Sequence, residues 1–291
     1  LFLRCRKTYQ GSQTQMTKHT EQTDSAATLL RPIQIKSLNV IGITTLYQKE
    51  VQRFMKVAMQ ALCAPVVTAM LFMMVFSVAL GDRAAPYEGI RFAAFLAPGL
   101  IMMAVLQNAF ANTSSSFVIG KVQGNIVDIL MPPLGPGEVL TAMVCAGITR
   151  GVLVGCACAI TLIFLGGLGM PAAPFISVIF LVLGAVLMSF AGVLAGIWAQ
   201  KFDSLAAITN FIIQPLAFLS GTFYSVHALP APFDVIAASN PVFMVIDGFR
   251  YGMIGQADGS LLFGGSILLA LNISLAIVCF YILKSGYRLK S

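Results

Sequence analysis

Histidine is almost missing from this chain of 291 residues: His19 and His227 are the only two, and both lie outside its apolar runs. That leaves no His/Cys metal cluster to propose. Charge is scarce as well. Asp, Glu, Lys and Arg together make up 10% of positions against 58% hydrophobic residues, too little polar surface to cover a water-soluble globule of this size. A phosphate-cradling loop is also lacking, since it needs Gly, four residues, Gly-Lys and then Ser or Thr. Gly120-Lys121 is followed by Val122 and preceded at the required spacing by Ser115. Leu219-Ser220-Gly221 echoes a nucleotide-contacting signature but sits inside an apolar run, where it reads as helix packing. No cleavable leader is legible; insertion falls to the first apolar run itself. Residues 1–31 read as disordered, with Met16 a candidate start, and 1–45 as a cytoplasmic N-terminal segment. Of the six cysteines, Cys63, Cys145, Cys156, Cys158 and Cys279 lie within apolar runs and read as small buried hydrophobes.

What the chain has instead is six apolar runs, at about 58–80, 92–111, 139–168, 175–198, 205–224 and 261–283. Each is near the ~20 residues needed to carry a helix, at ~1.5 Å per residue, across a hydrocarbon core ~30 Å thick. An all-α polytopic membrane protein with six transmembrane helices is expected. The net charge of +7 could suggest nucleic acid, but its placement points to membrane orientation. Nine Lys or Arg precede the first run; Lys121, Lys201, Lys284, Arg288 and Lys290 fall on the same side, against Arg83, Arg91 and Arg250 on the other. The positive-inside bias puts both termini in the cytoplasm.

Between these runs lie segments with their own patterns. Leu46 to Val57 interleaves Leu46, Val51, Phe54, Met55 and Val57 with Lys49, Glu50, Arg53 and Lys56, the pattern of an interfacial amphipathic helix or of a basic anchor for the first span. Phe117 to Met131 carries Lys121, Asn125 and Asp128 and stops at Pro132-Pro133, which predicts a short cytoplasmic helix suited to docking onto another protein. Arg150 lies eleven residues into the third run, so it either snorkels to the boundary or serves as a gate or pathway cation. Gly147, Gly151 and Gly155, then Gly192 and Gly196, recur every fourth position and allow close helix contact, within one chain or across two. Gln214-Pro215 predicts a kink. Val226 to Gln256 is apolar but cut by Pro230, Pro232 and Asn240-Pro241 into pieces too short to span, hence short re-entrant helices between spans five and six. Asn240 is a natural cap for a helix opening at Pro241, and Asp247 and Arg250 share one face at the outer surface.

These residues carry a family resemblance. The run from Ser220 to Gly255, SGTFYSVHALPAPFDVIAASNPVFMVIDGFRYGMIG, resembles the C-terminal signature of ABC type-2 exporter permeases. KEVQRFMKV at Lys49 to Val57, APGLIMM at Ala97 to Met103 and TRGVLVG at Thr149 to Gly155 look like the YadH-type bacterial members. The resemblance implies a permease subunit of the bacterial inner membrane that is not itself an enzyme. It implies a homodimer working with two ABC ATPase subunits, with ATP and Mg bound on the partner chain and no cofactor on this one. It also assigns Leu46 to Val57 to the cytoplasmic gate and Phe117 to Met131 to coupling with the ATPase. The scarcity of charge in the spans favours an amphiphilic cargo of lipid, drug or glycan type, and argues against ion coupling. Two other readings are a membrane-embedded hydrolase using Ser220 and His227, and a passive channel using the polar patch Gln107, Asn108, Asn112, Thr113 and Ser114 to Ser116.

Overall fold

The computed structural model describes residues 38–81, 87, 89–125, 134–230 and 232–287. The expected N-terminal disorder, apart from 38–45, and Asp128 lie outside them. Every regular element among the described residues is helical.

Helix α1 (Val40–Met55) starts six residues earlier than its charge pattern suggests, because Asn39 caps it: the Asn39 side chain accepts from the Gly42 N–H at 2.9 Å. Its apolar face turns inward. Leu46 and Phe54 are buried, whereas Met55 and Val57 stay exposed. Helix α2 (Ala58–Leu80) follows almost without a break. Helix α3 (Phe92–Val122) has 31 residues, about 46 Å at 1.5 Å per residue, so it overshoots a ~30 Å core. The separate cytoplasmic helix expected from Phe117 is therefore corrected as far as Val122: this stretch continues α3, which stops in a turn at Gly124, where φ is +73°. Helices α4 (Pro136–Phe164) and α5 (Pro174–Trp198) each open with Pro in the first turn, where the missing N–H costs nothing.

Among the described residues, five helices are long and apolar enough to cross a membrane: α2 to α5 and the last, Leu261–Ser285. The predicted fifth span differs. Helix α6 (Phe202–Phe218) is interrupted by a π-helical stretch, Thr209–Ile213, immediately before Gln214-Pro215, and ends six residues before the expected Tyr224. Leu219 to Gly221 form a turn rather than a packed helix face, since Gly221 has φ +67°. The Pro-cut interval folds as expected into short pieces: a 3-10 turn (Val226–Ala228), α7 (Phe233–Ala238) and α8 (Pro241–Ile254). Asn240 caps α8, accepting from Val242 N–H at 2.9 Å, while Pro232 sits one position ahead of α7. Helix α9 (Leu261–Ser285) closes the order.

Helix α3 is the central post: 78% of its most apolar window is buried, against 11% for α2 and 22% for α9. It packs on α5, α4, α8 and α2. Both glycine stripes face it within the same chain. A β-carbon on Gly192 would land 2.5 Å from the Phe110 carbonyl oxygen, one on Gly196 2.9 Å from that of Ser114, and one on Gly151 3.1 Å from that of Val105. The outer faces of α2, α4, α6 and α9 expose Leu71, Val78, Phe164, Phe211 and Leu262, as lipid-facing surfaces do. Cys158 and Cys279 are buried, but Cys63, Cys145 and Cys156 are exposed on these apolar surfaces, which corrects the uniformly buried reading.

Candidate functional site

A polar seam joins α1 to the core at one end of the bundle. Helical spacing puts Leu46, Glu50 and Phe54 on one stripe of α1, and this stripe faces α3 and α4, so Glu50 is carried inward between two apolar neighbours and is 1% exposed. A carboxylate so placed needs partners. It has them: Arg53 lies 3.0 Å away in an ion pair, and Ser116 of α3 donates to its other oxygen at 2.9 Å. Arg53 also donates to the Asn112 carbonyl at 2.7 Å and the Ser115 hydroxyl at 3.1 Å. Lys49 and Lys56, expected in the same basic cluster, point outward and are exposed. Tyr47 meets Thr149 of α4 at 2.9 Å.

Arg150, one residue further along α4, donates to the Asn108 side chain of α3 at 3.3 Å and is half-buried. It is thus partnered inside the protein rather than carried to the boundary unpaired. Beside it, α3 and α6 enclose a crevice of about 300 Å³ lined by Gln107, Asn108, Ser114, Ser115, Thr209 and Gln214 together with Phe110, Ala111, Leu205 and Ile213. Gln107 also borders a second crevice of about 230 Å³ between α2 and α3, lined by Pro65, Thr68, Ala69, Phe72, Leu100 and Met103. The Gln107 amide nitrogen and that of Asn112 are buried with no hydrogen-bond partner. Two mostly apolar crevices therefore meet at one orphan donor.

The residues expected to couple to a partner separate. Lys121 turns back onto the end of α5, donating to the carbonyls of Gly196 at 3.0 Å, Ala199 at 3.1 Å and Ile197, where a cation suits the helix C-terminus. Asn125 is exposed on the turn after α3.

At the opposite end a second cluster holds the short helices. Asp247 and Arg250 do share a face, yet both are buried rather than at the surface, 4.0 Å apart. Arg250 donates to the Gly221 carbonyl at 2.6 Å and lies 3.9 Å above the Phe95 ring. The Asp247 carboxylate accepts the backbone N–H groups of Asp258 and Gly259, both at 2.8 Å. Asp258 in turn accepts from the Tyr87 hydroxyl and the Val226 N–H. Burial and that carboxylate hold the Tyr87 phenol well above its ordinary pKa. His227 bonds the Asp258 backbone, while the Ser220 hydroxyl bonds Ala217 and Thr222, so the Ser220–His227 pair required by the hydrolase reading is not assembled.

Sequence reasoning missed Glu138, Tyr87 and Asp258. Glu138 clamps two helix starts at once, accepting from Asn39 N–H at 2.6 Å and Gly135 N–H at 2.7 Å. Its place three residues after Gly135 was the local signal, but the link to Asn39 spans 99 positions and has none.

Among the described residues, a helical bundle with five membrane-length apolar helices, a buried polar seam and no strand is the architecture of a multi-pass membrane protein. The chain belongs to the ABC-2 type transporter family, whose model matches residues 42–254. It is 34% identical to the inner membrane transport permease YadH of Escherichia coli K12 over 251 residues, 86% of this chain and 98% of that protein. It is 25% identical to nodulation protein J of Rhizobium leguminosarum bv. viciae over 69% of this chain and 78% of that one. The protein of that name from Rhizobium meliloti is 21% identical over 69% and 77%.

Proposed function

We propose that this chain is the membrane half of an ATP-driven exporter of amphiphilic molecules of the lipid, drug or glycan type. It works as a homodimer with ABC ATPase subunits that bind the ATP and Mg. The observation that carries the cargo class is the sharing of Gln107 by two mostly apolar crevices, which offers an apolar body adjoining sites with a buried amide donor between them. Orphan donors at Gln107 and Asn112 are desolvated at a cost that a polar headgroup or water would offset.

Placement in a bacterial inner membrane follows the YadH relative. Cytoplasmic termini are supported by the gathering of Lys49, Arg53, Lys56, Lys121, Lys201 and Lys284 at the α1 end, against Arg91 and Arg250 at the other. In this orientation α6 is the short fifth span of six, and α7 and α8 dip in from the outer side. Helix α1 is then the gate helix. Motion of an ATPase docked at the turn bearing Asn125 and the segment with Asp128 reaches the crevice along α3, because Arg53 and Glu50 grip α3 at Asn112, Ser115 and Ser116.

The test is co-reconstitution in liposomes with the ATPase that copurifies. Vanadate-sensitive hydrolysis stimulated by amphiphiles, with half-stimulation shifted by Gln107→Leu, is expected. Amphiphile transport by the permease alone, without nucleotide, would overturn the reading.

A further inference from the structure

We propose that the slot between α4 and α9 at the α1 end is a binding site for one anionic phospholipid, separate from the cargo crevice. The slot has a volume of about 580 Å³, is floored by Leu140, Val144 and Phe190, and is walled by Thr141, Cys145 and Phe280. It exists because α4 carries small residues, Gly137, Thr141 and Cys145, at every fourth position opposite α9, where Phe280 approaches Gly137. From Gly137 to Cys145 is eight residues, about 12 Å of helix. That is close to the depth of one leaflet, half of a ~30 Å core, so the slot suits an acyl chain entering from one face of the membrane.

The rim supplies the charge. Lys284 is exposed four residues beyond Phe280, on the same face of α9, and Tyr281, which lines the slot, is exposed three residues before it. Glu138, the acid nearest along α4, has its carboxylate occupied by the Asn39 and Gly135 N–H groups. An apolar slot one leaflet deep, topped by an ammonium and a phenol, is matched to a lipid with a negative headgroup. A second copy of this chain seated there by two-fold contact would bring another Lys284 to the same rim, which like-charge repulsion disfavours. The assignment rests on the membrane orientation above only for which leaflet supplies the lipid.

The experiment uses the full chain in nanodiscs of symmetric composition, so that both ends see the same lipids and a failure here is distinct from a failure of the orientation. Native mass spectrometry after release into detergent should retain phosphatidylglycerol at least about fivefold over phosphatidylcholine. Cys145→Trp, which fills the slot, should abolish retention, and Lys284→Glu should bring the two lipids to parity. Thr141→Phe serves as a second filling variant, and size exclusion with circular dichroism identifies any variant that fails to fold. Phosphatidylglycerol with a photoreactive acyl chain should crosslink to α4 and α9 around Cys145 and Phe280. Equal retention of both lipids by the unmodified chain, full retention by two folded filling variants, or chain-to-chain crosslinks at Ile277 would each overturn the proposal.

Discussion

Replacing Arg53 by Met strips the cation from Glu50 while keeping most of the side chain's apolar bulk. The Glu50 side chain is only 2% accessible and its ion pair spans 3.0 Å, so the carboxylate is left with the Ser116 hydroxyl alone. Breaking a buried pair from one side costs about 3–5 kcal/mol, because an uncompensated charge stays buried. The Arg53 side chain is 25% accessible, and water can partly replace it, so about 2–3 kcal/mol is expected here. Glu50→Gln keeps an acceptor for Ser116 and should cost about 1–2 kcal/mol. The double substitution removes both charges and should be milder than the sum of the two by about 1–2 kcal/mol. Unfolding in mixed micelles by SDS titration, followed by helical circular dichroism, gives all four corners of the cycle. Additivity within about 0.5 kcal/mol, or an Arg53→Met chain as stable as the parent, would refute the claim that this pair fastens α1 to α3.

Gly192→Ala should cost about 1–3 kcal/mol and lower the yield of folded protein by size exclusion, since its β-carbon meets the Phe110 backbone, whereas Gly169→Ala, with nothing within 4 Å, should be nearly neutral. Lys121→Met leaves three carbonyls at the end of α5 without their cation; hydrogen exchange of the Ile197 and Ala199 amides should rise about tenfold with the rest of α5 unchanged. Asp258→Ala should release Tyr87 and the 3-10 turn together, read as faster exchange at both Val226 and Ile90. Ser220→Ala should leave ATP-driven transport unchanged, and a serine-directed probe should not label the parent chain; labelling would revive the hydrolase reading.

The long helices were legible because each rests on a local rule. Ala58–Leu80 is the predicted first span, and the capped start at Asn240-Pro241 needed only a side-chain oxygen and a fixed φ one residue apart. Where two local rules competed, the sequence misled. The Pro-Gly-rich connector suggested a fresh helix at Phe117, but no Pro or Gly separates Ala111 from Phe117, and packing on α5 carries α3 through Gly120 to Val122. The fifth run looked continuous by hydropathy, yet Gly221 in a left-handed turn and the π-helical stretch end it early.

Hydropathy, charge asymmetry and turn residues by themselves determined a multi-pass helical membrane protein and its family pattern, because crossing lipid demands long apolar stretches with internally satisfied backbones. Which polar side chains meet was decided only in three dimensions. Glu50 with Ser116, Arg150 with Asn108, Glu138 with Asn39 and Asp258 with Tyr87 lie 42 to 171 positions apart along the chain. Burial leaves such groups no water to turn to, so each takes the partner that helix packing brings within reach.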